Sequence, residues 1–148
     1  MSGPQWDNAD HHRREKLVAD AISANIYTDI YFWENPKYHV TDFHAMRRVG
    51  GGFENYIGDL EVKWYNKPKA APAIFNYNKL QRLLLLPTAG ELTHHVAIRF
   101  TDDVQMIPVN NLRNCEPYLF TRSDTDEQDL VIDIPKTVGE FLGLVVNE

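Results

Sequence analysis

The segment that most constrains the fold is residues 59–64, where charged and apolar side chains alternate. It reads Asp59, Leu60, Glu61, Val62, Lys63 and Trp64. Successive side chains of a β-strand point to opposite faces of a sheet, so the segment predicts a strand with one apolar and one charged face. Carboxylates and a lysine are poor core residues, whereas hard divalent cations take carboxylate oxygens as ligands. The pattern therefore predicts a sheet with a candidate metal site on one face.

Length and composition predict one soluble domain. The chain has 148 residues, of which 43% are hydrophobic and 24% are charged, as in ordinary globular domains. No apolar run approaches the roughly 20 residues of a membrane helix, and no secretory signal is visible at the N-terminus. The single cysteine, Cys115, excludes an intramolecular disulfide and a cysteine-based zinc site. We expect a cytoplasmic protein that does not associate with membranes.

The distribution of charge is uneven along the chain. The net charge of −6 argues at first against nucleic-acid binding, which requires basic residues that neutralise phosphates. However, residues 37–82 contain eight basic and four acidic residues, Lys37 included, whereas residues 101–148 contain three basic and ten acidic residues. The basic residues thus concentrate around the candidate site, as a DNA partner would require. The alternative is that they are scattered, solvated charges.

Hydrophobic periodicity and turn residues predict a mixed order of helices and strands. We expect helices at about residues 11–25 and 74–86, and strands at about 27–33, 38–48, 55–65, 95–101 and 104–109. Beyond residue 110 we expect a short strand at 130–134. A final helix is predicted from the capping-box pattern of residues 137–140.

This order, with an aspartate on the second strand and Glu-x-Lys on the third, resembles the PD-(D/E)XK nuclease superfamily. That group includes many restriction endonucleases, Holliday junction resolvases and phage or repair exonucleases. The resemblance covers residues 10–109 and combines a short motif with the order of elements. It implies an α/β fold with a mixed sheet, namely a restriction-endonuclease-like αβββαβ core at about residues 10–110. Residues 111–148 would then be a C-terminal extension of one nuclease-like domain spanning residues 1–148.

The family's site residues are carried over by position. Asp42 matches the first acid of the motif, Glu61 the second and Lys63 the lysine, while Glu15 resembles the extra carboxylate that many members place on the first helix. Thr41 precedes Asp42 where the motif's name has proline, a position at which members vary. Asp59 competes with Asp42 for the role of first acid. We prefer Asp42, because two strands hold a metal better than carboxylates about 7 Å apart on one strand.

The resemblance implies a Mg²⁺-dependent deoxyribonuclease, in which Mn²⁺ would also function. Asp42, Glu61 and the Val62 carbonyl would hold the ion, because Mg²⁺ prefers oxygen ligands. Lys63 would orient or help deprotonate the attacking water, or stabilise the phosphate in the transition state. On the second helix, Lys79 and Gln81 occupy positions where members often place a polar residue facing the site. We expect Gln81 to contact the phosphate or a water molecule.

Other interpretations of the same residues remain open. The charged strand face would also suit solvated cross-strand ion pairs, and Glu15 would suit an exposed helix surface. The histidines, including His39, His44 and the pair His94 and His95, offer a rival metal site, although none has the i, i+4 spacing of a helical zinc pair.

The functional alternatives follow from these readings. A phage or mobile-element nuclease is the leading hypothesis, and a non-catalytic DNA-binding or assembly module on the same fold is the alternative. An unrelated α+β interaction protein, without tight Mg²⁺ binding, is a third. An enzyme this small often needs a second subunit, and the apolar residues of the predicted final helix would favour a homodimer: Val138, Phe141, Leu142, Leu144 and Val145.

Overall fold

The computed structural model describes residues 3–36, 38–52 and 54–148, with side chains from residue 9 onward. Lys37, counted above among the basic residues, lies outside the described residues. The elements, in chain order, are α1 (Gly3–Asn25), β1 (Ile30–Glu34), β2 (Phe43–Arg48), β3 (Glu54–Trp64), β4 (Ile74–Asn76), α2 (Tyr77–Leu84), β5 (His95–Arg99), β6 (Val104–Pro108), β7 (Tyr118–Thr121), β8 (Gln128–Asp133) and β9 (Glu140–Phe141).

A six-stranded mixed sheet, in the order β1-β2-β3-β5-β6-β9, organises the molecule. The first three strands form an antiparallel meander, as predicted, in which Phe43 of β2 lies opposite Leu60 of β3. Strand β5 then runs parallel to β3, with Glu61 opposite Val96, and the crossover between them contains α2. Parallel neighbours require such a crossover, and it places a helix over the face of the sheet that carries Glu61.

The sheet buries a different apolar cluster on each face. On one face, Val18 and Ile22 of α1 pack with Leu60 and Val62 of β3. On the other face, the buried residues of β5 and β6 pack with α2 and a second sheet: Leu80, Leu83, Val96, Ile98, Phe100, Ile107 and Ile132. The alternation of residues 59–64 therefore places the apolar side chains under α1 and the charged ones on the α2 side.

The second sheet departs from the sequence prediction. Residues 74–76 were expected to open a helix, but they form β4, which pairs with β8 in a three-stranded sheet of order β4-β8-β7. Asn76 ends β4 and caps α2, its side-chain oxygen accepting a hydrogen bond from Lys79 N at 2.8 Å. The N-cap explains why the helix begins only at Tyr77. The predicted strand near residues 130–134 corresponds to β8, and its partner β7 was not predicted.

The predicted final helix is wrong. Residues 140–141 form β9, which pairs with β6 at the edge of the main sheet. A side chain at Gly139 would bring its Cβ within 2.4 Å of Met106 O, so the backbone approaches β6 too closely for a helix with side chains there. Four of the five apolar residues that suggested a dimer pack on this chain's own core: Val138, Phe141, Leu142 and Leu144. The homodimer remains a prediction, without that support.

Among the described residues, no helix is both long and apolar enough to span a membrane.

Candidate active site

Asp42 lies immediately before β2 and is fixed to the neighbouring strand β3. Its Oδ2 accepts a hydrogen bond from Val62 N at 2.8 Å, and its own carbonyl accepts one from Asn35 N at 2.9 Å. The antiparallel register of β2 and β3 makes the first contact possible, because it aligns Phe43 with Leu60. The Asp42 carboxylate is therefore held beside the strand that carries Glu61 and Lys63.

Glu61 is nearly buried, with 12% of its side chain exposed. Its Oε2 lies 3.2 Å from Nζ of Lys79 on α2, whereas its buried Oε1 has no hydrogen-bond partner within the described ranges. Burial, followed by the negative charge of Asp42, raises the pKa of Glu61 to about 8, while the Lys79 ammonium opposes this rise. Glu61 is thus a carboxyl group with one oxygen partnered by a cation and one oxygen unsatisfied.

Glu15 of α1 contributes a third carboxyl group. Its side chain is 18% exposed and lies close enough to Asp42 for the two carboxyl groups to interact, while its Oε1 lies 3.7 Å from Nδ1 of His12. Burial and then the charge of Asp42 raise the pKa of Glu15 to about 8. Burial also raises the pKa of Asp42 itself, against the hydrogen bond from Val62 N–H and the charge of Lys79. Glu15, Asp42 and Glu61 form an acidic cluster, in which Glu15 and Glu61 hold protons to a higher pH than solvated carboxyl groups do when no cation is bound.

The acidic cluster fits a hard divalent cation. Its donor atoms are all carboxylate oxygens, which suit Mg²⁺ or Mn²⁺ better than softer metals. Three carboxyl groups in a poorly solvated site repel one another, and a cation relieves this repulsion more completely than one lysine. The unsatisfied Oε1 of Glu61 is an available acceptor. The contact described for Val62 is made by its N–H to Asp42, so the role of its carbonyl as a ligand stays a prediction.

Lys63 lies two residues after Glu61 on the same face of β3. Burial lowers the pKa of Lys63, and the nearby charge of Arg122 lowers it further, while Glu61 and Asp129 act in the opposite direction. Arg122 and Asp129 belong to the β7–β8 hairpin and form an ion pair at 2.7 Å. The C-terminal extension therefore reaches the candidate site, which the sequence did not predict.

On α2 the residue that faces the acidic cluster is Lys79, and Gln81 is exposed to solvent. Residues two apart on a helix point about 200° apart, so both cannot face the same site. From sequence, Gln81 is predicted to contact the phosphate or a water molecule, whereas the structure places Lys79 against Glu61.

The carboxylate of Asp59 is hydrogen-bonded to residues outside the acidic cluster. It is only 2% exposed, and its two oxygens accept hydrogen bonds from Thr41 Oγ1 at 2.9 Å and from Tyr56 OH at 2.6 Å. His44 Nδ1 lies 2.8 Å from Asp59 Oδ1. The structure thus places Asp59 with histidines, whereas Asp42 lies with Glu15 and Glu61.

The side chain of His94 contacts backbone atoms near Asp59. Its Nδ1 accepts a hydrogen bond from Asp59 N at 2.9 Å, and its Nε2 lies 2.7 Å from the carbonyl oxygen of Pro87. These contacts use both ring nitrogens and tie β3 to the loop that follows α2. His94 therefore has a structural position.

Comparison with known proteins gives a structural relative but no sequence relative. No protein-family model and no curated protein sequence matches the chain. Among solved structures, the protein is similar to Hjc, a Holliday junction resolvase from the archaeal hyperthermophile Archaeoglobus fulgidus. The TM-score is 0.52 at 14% sequence identity, over 88% of this chain and 92% of that chain. The likeness confirms the predicted fold: this chain has a restriction-endonuclease-like fold with a mixed sheet.

Proposed function

We propose that the protein is a metal-dependent nuclease that hydrolyses phosphodiester bonds in DNA. One observation carries the proposal: carboxyl groups from α1, the start of β2 and β3 converge beside Lys63, on the fold of a nuclease. A structural ion-pair network would balance its charges, whereas in the described part of the chain three carboxyl groups face one lysine, Lys79, and one histidine, His12, which lies 3.7 Å from Glu15. Such an excess of buried acid is costly for folding and is typical of a functional site.

Asp42 and Glu61 would hold Mg²⁺, with Glu15 as a further ligand or as an acceptor for its water molecules. When bound, the ion lowers the pKa of a coordinated water and neutralises charge on the phosphate. The protein's own contribution is to keep these oxygens converged before the substrate arrives. The hydrogen bond from Val62 N–H to Asp42 does this for the first acid, because it fixes the carboxylate to the strand of the second.

Lys63 would act on the attacking water or on the phosphate. Its lowered pKa favours the role of a group that accepts a proton from the water, since a neutral amine is more accessible than in a solvated lysine. Lys79 would neutralise Glu61 in the metal-free protein and contact a phosphate oxygen when the ion takes over Glu61. The exposed position of Gln81 makes it a weaker candidate for the same contact.

The test is cleavage of labelled DNA by the full chain, with Mg²⁺ or Mn²⁺ and with EDTA as the metal-free control. The substrates are single strands, duplexes, flaps and four-way junctions, the last chosen because the structural relative is a junction resolvase. We expect metal-dependent products that Glu61→Gln and Lys63→Ala each reduce by about 100-fold or more. Lys16→Ala, which removes an exposed lysine of α1, is the matched control and should leave the rate unchanged.

Two outcomes would contradict the proposal. Cleavage that survives both Glu61→Gln and Lys63→Ala would place the activity elsewhere or in a contaminant. Folded wild-type protein that binds DNA but yields no product with either metal would favour the non-catalytic binding module on the same fold.

A further inference from the structure

A second group of metal-binding side chains lies beside the acidic cluster but does not include its residues. It consists of His39 in the loop before β2, His44 on β2 and Asp59 on β3, and we call it the histidine cluster. One ligand atom from each residue lies within 4.8 Å of the other two. The two imidazole rings meet edge to face, with centroids 5.3 Å apart and an angle of 83° between the planes. Two stretches of chain, residues 39–44 and strand β3, therefore bring nitrogen and oxygen donors to one point.

The His39 ring is held near this point by contacts of its Nδ1 with the loop before β2. Its Nδ1 accepts a hydrogen bond from the backbone N–H of Thr41 at 3.2 Å and lies 3.3 Å from the side-chain nitrogen of Asn35. These contacts hold the ring in place, and an ion bound by Nδ1 would replace the hydrogen bond from Thr41 N–H. Neutral imidazole is the form that binds metals.

The Nδ1 atom of His44 and a carboxylate oxygen of Asp59 are in close contact, but their geometry does not make a hydrogen bond. The His44 Nδ1 and Asp59 Oδ1 atoms are 2.8 Å apart, yet this buried nitrogen has no hydrogen-bond partner with acceptable angles among the described residues. Burial of an unsatisfied nitrogen beside a carboxylate is unfavourable unless something binds both. A cation that accepts a lone pair from each atom would satisfy the nitrogen and the oxygen together.

We propose that His39, His44 and Asp59 form a second metal site that binds a divalent transition metal of the Zn²⁺ class. Two imidazoles and one carboxylate are a donor set that Zn²⁺ takes in proteins, with a fourth position left for water. The donor set separates this site from the acidic cluster, whose oxygens suit Mg²⁺. Hydrogen bonds from Thr41 and Tyr56 orient the Asp59 carboxylate, as outer partners do for metal ligands.

The position of the histidine cluster gives the metal a structural role. His39 lies three residues before Asp42 and His44 two residues after it, so an ion would fix both sides of the short segment that carries Asp42. The same ion would attach this segment to Asp59 on β3, next to a register shift between β2 and β3 at Ala45 and Met46. Occupancy would therefore stabilise the start of β2 without taking part in the reaction. The proposal does not depend on nuclease activity.

The test is calorimetric titration of the metal-free full chain with Zn²⁺ in the presence of excess Mg²⁺, which keeps the acidic cluster occupied. We expect one Zn²⁺ per chain and a higher melting temperature in its presence. His39→Ala and His44→Ala should each weaken binding by more than about 100-fold, beyond the effect of losing an outer partner. His11→Ala, which removes an exposed histidine of α1, is the matched control and should bind as the wild type does.

Glu61→Gln separates the two sites, because it should abolish cleavage and leave Zn²⁺ binding unchanged. Circular dichroism verifies the fold of each variant, and His44→Gln replaces His44→Ala if the latter does not fold. Wild-type protein that binds no Zn²⁺ under these conditions would overturn the proposal. So would binding that persists in both histidine variants, or binding that Glu61→Gln removes, since the ion would then belong to the acidic cluster.

Discussion

Glu15 and Glu61 illustrate how single residues set the behaviour of the metal-free protein. The pKa of each carboxyl group is raised from 4.5 to about 8 by burial and by the charge of Asp42. Between these two values, the folded protein retains protons that the unfolded chain has already released. The folded state therefore binds more protons, and the free energy of unfolding falls as the pH rises through this window.

The resulting prediction concerns Glu61→Gln. The metal-free wild type should lose stability between pH 4.5 and about pH 8, and this slope should be shallower in Glu61→Gln, which has no carboxyl group to deprotonate at this position. Urea unfolding at several pH values measures the slope. The exposed Glu116→Gln serves as the control and should reproduce the wild-type slope. Equal slopes in wild type and Glu61→Gln would contradict the raised pKa.

At the scale of residues, the sequence predicts which side chains share a face where the spacing along a strand alone decides this. Glu61 and Lys63 share a face because strand periodicity leaves no alternative. Which of Lys79 and Gln81 faces the acidic cluster depends on the residue at which α2 begins, and the N-cap Asn76 sets that residue. The grouping of Asp59 with His39 and His44 could not be predicted, because it depends on the path of the loop before β2 and on a register shift between strands.

At the scale of elements, β3 depends on a close approach at Gly58. Its φ angle is +139°, and a Cβ placed there would lie 1.9 Å from the carbonyl oxygen of Thr93. Asp59 and Glu61 follow Gly58 on β3, and Thr93 lies two residues before the start of β5. The glycine thus permits β3 and the segment before β5 to pack closely where both candidate metal sites begin.

Gly58→Ala should therefore destabilise the protein. The substitution combines an unfavourable backbone angle with a clash against backbone atoms, so we expect a loss of more than about 1 kcal/mol. Gly50→Ala is the matched control, because a Cβ at Gly50 would meet nothing within 4 Å. Chemical denaturation measures both variants. Similar stabilities for the two would show that the chain near Thr93 adjusts without cost.

Element prediction failed at short segments for a physical reason. Residues 74–76 are too few for periodicity to separate a strand from the first turn of a helix, and pairing with β8 decides the outcome. Residues 137–140 match a capping box, but local preference is weak compared with the pairing of β9 and the backbone contact at Gly139. The first helix and the meander were predicted because their patterns extend over longer stretches.

For the whole molecule, the C-terminal segment is part of the packed structure. Asp103, which is 2% exposed, connects it to the turn between β5 and β6. Its Oδ1 accepts hydrogen bonds from Val104 N at 2.8 Å and Leu144 N at 3.1 Å, and its Oδ2 lies 3.0 Å from Lys69 Nζ. Burial alone would raise the pKa of Asp103, but these hydrogen bonds together lower it.

Asp103→Asn should reduce stability by about 1–3 kcal/mol, because an amide cannot accept all these hydrogen bonds and also donates. The lowered pKa means that the wild-type contribution is present above the pKa of the unfolded chain and disappears as the pH falls through the folded pKa. Denaturation at neutral and acidic pH measures both effects. The exposed Asp124→Asn is the control. A difference between Asp103→Asn and wild type that persists unchanged in acid would contradict this assignment.

The ion pair between Lys79 and Glu61 affects how the acidic cluster responds to the concentration of divalent cations. A cation arriving at the acidic cluster must compete with an ammonium group that the chain itself supplies, at 3.2 Å from the same carboxylate. The apparent affinity of the proposed site for a divalent cation would therefore be lower than its oxygen ligands alone would give. Under the proposed function, Lys79 would occupy the place of the metal when magnesium is scarce, and the protein would stay folded and inactive until the Mg²⁺ concentration is high enough to displace this lysine.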